Sequence, residues 1–228
     1  MLYRDPIFRM MGDRSLLVEL GDEIAPGINQ RVKDFFQSLK NHHQEGVLDL
    51  IPCYRSVMII YDPLKLEYNR LKEWVASLQQ RKELSADKEH RTLKVPVVYG
   101  GEYGPDLEWV ARYHGISPEE VIQLHTSRMY RVYMIGFTPG HPYLGELPDA
   151  LVTPRKETPR PVVLRGSVGI AQKQIVIYPA QSPGGFQIIG RTPLILFDPG
   201  KNPPALFEMG DQVEFYPATE KEMENWVL

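Results

Sequence analysis

The chain has 228 residues, with 26 Lys plus Arg against 29 Asp plus Glu, for a net charge of -3. Hydrophobic residues make up 43% and charged residues 24%, so the chain can bury a core and is not disordered as a whole. The charge balance gives no footprint for nucleic acid or an anionic membrane, and no apolar run reaches the roughly 18 residues of a membrane span.

Charges run through the apolar part of the opening MLYRDPIFRMMGDRS, which makes it a poor signal peptide. Ser15 to Leu20 predicts a strand that turns at Gly21-Asp22. Ile28, Val32, Phe35, Phe36 and Leu39 then fall at helical spacing, and that helix should end near Gly46. Val47–Ile51 and Val57–Tyr61 read as two further strands, the second stopped by Asp62-Pro63. Cys53, the single cysteine, reads as a buried structural thiol and fits a reducing, cytoplasmic setting. Leu71, Trp74, Val75 and Leu78 mark a second amphipathic helix. Together these predict a small α+β layer, one sheet with two helices on a face.

The run QRKELSADKEHR at 80–91 is charged and aperiodic, and we place a linker at 83–91 between domains at 1–82 and 92–228. Leu93–Tyr99 reads as a strand ending in Gly100-Gly101. A short helix opens after Pro105 and ends near Gly115. In Ser117-Pro118-Glu119-Glu120, Ser is a cap, Pro the first helical residue and Glu120 the return partner, so a second helix starts there. Residues 131–228 hold 13 Pro and 10 Gly, against 7 and 8 in residues 1–130. Such dense turn-formers among short apolar runs at 129–136, 167–170, 174–178, 186–190, 193–197 and 212–216 predict a closed or nearly closed β-barrel.

The usual catalytic signatures are missing: there is no P-loop, no HExxH, no GxSxG and no metal-ligand spacing. The unusual segment is 136–193. Its glycines, among them Gly184 and Gly185, bring backbone close to something or make tight corners. Between them lie His141, Arg155, Arg160, Ser167, Gln174, Ser182, Gln187 and Arg191. Residues 131–200 carry 7 Lys/Arg and 4 acids, a local excess of positive charge. A basic, glycine-rich surface on a β scaffold suits a carboxylate or phosphate ligand. His141 is either an acid or base near neutral pH or a packed histidine. Thr153-Pro154-Arg155 recurs as Thr158-Pro159-Arg160, a stiff loop that aims two arginines or simply connects strands.

The run GFTPGHPYLG at 136–145, the TPRxxTPRP repeat, GSVGIA at 166–171, YPAQSPGGFQIIGRTP at 178–193 and LFDP at 196–199 closely resemble the B subunit family of bacterial 5-oxoprolinase. That family has also been called allophanate hydrolase subunit 1 and the KipI-type kinase inhibitors. GDRSLLVEL at 12–20, YRSVMIIYDP at 54–63 and VPVVYGGEYGPDLEWVA at 95–111 extend the likeness over nearly the whole chain. The resemblance implies an α+β N-terminal domain followed by a cyclophilin-like β-barrel. It implies one member, inactive alone, of a complex that opens the lactam of 5-oxoproline with ATP as co-substrate. No tightly bound cofactor and no metal are implied. The partners would be the C subunit, where the site is completed, and the A subunit; the KipI branch would instead dock on a sensor histidine kinase. On this resemblance His141, Arg160 and Arg191 are expected to be catalytic. Arg155, Ser167, Gln174, Ser182, Gly184, Gly185 and Gln187 are expected to hold substrate or phosphate. The chain departs from the family pattern at His141 (Phe), at Glu146 and Gln172 (Gly), and at Ile175-Val176 (Thr-Gly), side chains that would narrow the site.

Overall fold

A computed structural model describes residues 1–80 and 91–224. Contacts divide the chain into two compact units, Met1–Glu89 and His90–Leu228. The linker expected at 83–91 lies, but for Arg91, outside the described residues.

The first unit is one antiparallel sheet with two helices. Its strands are β1 (Leu2–Met10), β2 (Ser15–Gly21), β3 (Val47–Pro52) and β4 (Ser56–Tyr61), in the order β1-β2-β4-β3. Its helices are α1 (Pro26–Asn41) and α2 (Tyr68–Gln80). Strand alternation sends Leu16, Val18 and Leu20 of β2 and Val57, Ile59 and Tyr61 of β4 into the core. The apolar stripes expected on the helices are buried too, through Ile28, Val32, Phe35 and Leu39 on α1 and Leu71, Val75 and Leu78 on α2. Cys53 is half-buried, and burial pushes its thiol pKa up. The first strand was not expected: Pro6 and three charges interrupt its alternation, as an edge strand tolerates.

The second unit begins with β5 (Thr92–Tyr99), α3 (Leu107–His114) and α4 (Pro118–Thr126). The capping box read from Ser117 is present: Glu120 N–H donates to the Ser117 hydroxyl, and the Ser117 N–H donates to the Glu120 carboxylate. Then follow β6 (Tyr130–Ile135), β7 (Pro142–Gly145), β8 (Arg160–Val163), β9 (Ser167–Ala171), β10 (Gln174–Ile177), β11 (Ser182–Gly184), β12 (Gln187–Arg191), β13 (Gln212–Pro217) and a short α5 (Glu220–Glu224). Seven of these strands close a barrel in the order β10-β7-β6-β13-β5-β12-β9. One core cluster gathers Val95, Val97, Val132, Leu144, Ile170, Ile175, Ile189 and Phe215 from those strands, with Leu107, Val110 and Val121 from α3 and α4. The closed barrel and the mixed α+β arrangement agree with the expectation from sequence.

Two expectations need correction. Residues 193–197 do not form a strand. Pro193 has no N–H to give, the Leu196 carbonyl takes the Leu206 N–H at 2.8 Å, and Phe197 makes only an isolated bridge with Ala205. The Thr-Pro-Arg repeat, in turn, runs into a strand: Arg160 opens β8, which pairs with β11 as a separate two-stranded ribbon.

Candidate functional site

Strands β9 and β10 alternate, so while Ile170, Ile175 and Ile177 enter the core, Ala171, Val176 and Tyr178 point the other way. There they join Val163 of β8, Phe186, Ile188 and the half-buried Tyr143 in a second apolar cluster. This cluster therefore lies between the barrel wall and the β8–β11 ribbon. Gly184 makes the close approach possible: a Cβ there would run into the Tyr178 hydroxyl.

His141 completes a nest of rings. The loop from Gly136 to His141 closes tightly, with His141 N–H donating to the Thr138 carbonyl at 3.1 Å and Gly136 N–H to the His141 carbonyl at 3.0 Å. The His141 ring stacks on Tyr143 at 4.9 Å and meets Tyr178 edge-on at 5.1 Å and Phe137 edge-on at 5.5 Å. Burial disfavours the imidazolium and pushes the His141 pKa down to about 4. Burial likewise pushes the Tyr178 hydroxyl up to about 12, with the Tyr143 hydroxyl adding to it and the Arg155 charge opposing it. The Arg155 guanidinium sits 4.9 Å over the Phe186 ring, a cation–π contact at an exposed position.

A buried carboxylate anchors the loop that carries these arginines. Asp106, at the start of α3, accepts from Arg160 Nη1 and Nη2 at 2.7 Å each and from the Ile188 N–H at 2.7 Å. Lys156 Nζ stands 3.4 Å from it. Burial raises its pKa, but the Arg160 and Ile188 hydrogen bonds and the charges of Arg160 and Lys156 outweigh that, and the carboxyl lies below its usual value. Arg160 is thus committed to a bidentate pair within the chain.

The expected residues fall into two places. Ser182, Gly184 and Gly185 lie on or just after β11 and Arg155 on the loop before β8, while His141 stands in the loop before β7 and meets this side through Tyr178; the Gly185 carbonyl accepts the Lys156 N–H at 2.8 Å. The Ser182 hydroxyl is buried without a hydrogen-bond partner among the described residues. Gln187 reaches the Pro154 carbonyl with Nε2 at 3.1 Å, while its Oε1 is unpartnered there. Ser167 and Arg191 face each other across β9 and β12, and Arg191 Nε donates to the Arg165 carbonyl at 2.8 Å. Gln174 sits beside the turn of the β9–β10 hairpin, opposite Ala171. Sequence reasoning missed Asp106, Tyr143, Tyr178 and Phe186. Only Asp106 carried a local hint, an acid entering a helix, and its side chain makes no cap bond there.

A closed barrel thus carries a two-stranded ribbon on its wall, with the exposed Arg155 laid over the Phe186 ring beside a packed nest of aromatic side chains. The model of the carboxyltransferase domain, subdomain C and D, matches residues 6–207. A 5-oxoprolinase B subunit from Bacillus subtilis (strain 168) is 40% identical over 223 residues, covering 93% of this chain and 92% of the relative. Its namesake from Escherichia coli O157:H7 is 38% identical over 215 residues, covering 92% and 95%. The crystal structure of TTHA0988 superposes with a TM-score of 0.79 at 36% identity, covering 91% of this chain but only 40% of that longer one. The chain belongs to the family of 5-oxoprolinase B subunits.

Proposed function

We propose that this chain is the B subunit of an ATP-dependent 5-oxoprolinase, that a C subunit supplies the rest of its site, and that an A subunit joins the same assembly. The observation that carries the reading is the 40% identity to a 5-oxoprolinase B subunit over 93% of the chain. The chemistry fits a composite site. A lactam is a poor electrophile. Transfer of the ATP γ-phosphoryl group to the lactam oxygen releases ADP and leaves an activated carbon. One water adds there and the ring C–N bond breaks to give an acyl phosphate of glutamate; a second water releases phosphate. Such steps need cations near phosphate and little competing water. Arg155 and Arg191 supply cations in this reading, His141 a neutral hydrogen-bonding ring, and Arg160, held by Asp106, positions the loop. The barrel is cyclophilin-like in this reading, the two units are separate domains, the assembly is cytoplasmic, and ATP is a co-substrate of the complex with no resident cofactor.

The test is reconstitution. This chain, combined with its A and C partners, should convert 5-oxoproline to glutamate in the presence of ATP, and the chain alone should not. Failure of the full assembly on 5-oxoproline, combined with inhibition of a histidine kinase's autophosphorylation by the chain, would favour the KipI-type reading.

A further inference from the structure

The sheet of the first unit ends on β3, and beside that strand lies a hollow that the proposed function does not use. It holds about 390 Å³ between the last turns of α1, β3 and α2, with Phe36, Leu39 and Trp74 among its apolar walls. A leucine stands on its lip. The pairing of β3 with β4 slips at Leu48: Val47 lies opposite Tyr61 and Asp49 opposite Ile60, so Leu48 has no residue across from it and is 61% exposed. The rest of the lip is bipolar. Lys40, its Nζ 5.5 Å over the Phe36 ring, and His43 stand on the helix side and make no ion pair among the described residues. Asp49 stands on the strand side.

We propose that this hollow is the docking surface for a second copy of the chain. About a two-fold axis, Leu48 of each copy enters the hollow of the other, and Lys40 and His43 of each face the partner's Asp49. The inference stands apart from the proposed function.

The free edge of β3 does not invite an added strand. Cys53 N–H donates to the Ser56 carbonyl, and alternation from there turns the Leu50 N–H away from β4, where the Asp49 carboxylate takes it at 2.7 Å. Pro52, the next position that faces outward, has no N–H to offer. The occupant therefore arrives by its side chains. A surface that carries a protruding apolar residue and an apolar hollow side by side fits itself under two-fold symmetry, because each contact is then made twice. The charges give the same answer. A partner of one sign would be repelled on one side of the lip, whereas a second copy turned by the axis meets the opposite sign on both sides. Ten residues line the hollow, fewer than the roughly 20–30 per side of a standard interface, so the dimer is weak, with a Kd in the micromolar range.

Sedimentation of the full chain over a range of concentrations tests the proposal. Expected is a reversible dimer. Leu48→Asp changes an exposed position, so the variant should melt like the parent, yet it should abolish the dimer by putting a carboxylate into an apolar hollow. Lys40→Glu and Asp49→Lys should each weaken the dimer about tenfold or more, since like charges then meet on both sides of the axis. Mixed one to one, these two variants should associate as well as the parent, because one lip is then acidic and the other basic. Adding Leu48→Asp to either of them should remove that association again. A chain that stays monomeric at every concentration, a dimer that survives Leu48→Asp, or a mixture no stronger than either variant alone would overturn the proposal. A monomer whose Leu48→Asp variant no longer joins the A and C partners would overturn it too, and would give the hollow to one of them.

Discussion

Asp106 offers the sharpest physical test of how the site is held. Asp106→Asn keeps the shape of the side chain and removes its charge. Breaking one side of a buried ion pair costs roughly 3–5 kcal/mol. Two features of the structure lower that figure. Asn keeps a carbonyl oxygen for the Ile188 N–H, and the cations Lys156 and Arg160 retain 28% and 27% of their side-chain exposure, so water can screen them. The expected loss is therefore about 2–3 kcal/mol, or a fall in melting temperature of about 5–10 °C. The pH dependence has a definite sign. The folded-state pKa lies below the ordinary 3.8, so the stabilisation is whole above that value and is lost as pH falls through the lowered folded value. Urea unfolding of parent and variant, followed by hydrogen exchange in β12, should show the full gap near neutral pH and a narrowing gap from about pH 5 to about pH 3. In a double-mutant cycle, Arg160→Gln should add little on top of Asp106→Asn. A variant as stable as the parent at pH 7, or a gap unaltered in acid, would refute the reasoning.

Three further outcomes follow from named contacts. Ser117→Ala removes the hydroxyl of the capping box and should cost about 1 kcal/mol, read as a small fall in melting temperature. Gly104→Ala drives a methyl group into the Ile189 carbonyl, which is backbone and cannot swing away, so soluble yield and barrel stability should both drop sharply. His141, with a pKa pushed from 6.5 down to about 4, stays neutral when folded, so its contribution is present at neutral pH and fades as pH falls from 6.5 towards 4. His141→Phe should flatten that part of the stability–pH curve, while the part from the fully buried His125 remains.

Much of the fold was legible because its signals are local. The α4 start rests on four consecutive residues, and β4 on an unbroken strand-forming run ended by Asp62-Pro63. The ribbon was not legible: β8 and β11 are 4 and 3 residues long and each contains a proline, so neither shows a period. The run at 193–197 misled for the opposite reason, since apolar residues filled a loop whose hydrogen bonds go elsewhere. At the site, the sequence named residues by type, and type alone does not tell a free arginine from a tied one. Arg155 and Arg160 occupy equivalent places in the repeat, yet only the second meets Asp106, 54 positions away. The Ile188 N–H that shares the same carboxylate is 82 positions away. Pairings at that distance leave no mark on local spacing.

The barrel is closed by β13 lying parallel to β5, with Gln212 beside Thr92 and Pro217 beside Val97. The chain therefore enters at one end of this strand pair and leaves at the other, about 20 Å away for six residues of strand. Tension applied through the polypeptide before Thr92 and after Pro217 would load the ladder in shear. All of its hydrogen bonds would have to yield together, whereas an antiparallel pair pulled at one end would unzip one bond at a time. The seam that shuts the barrel is thus also its mechanical clamp, and resistance to forced unfolding would be set by the rate of breaking this one pair.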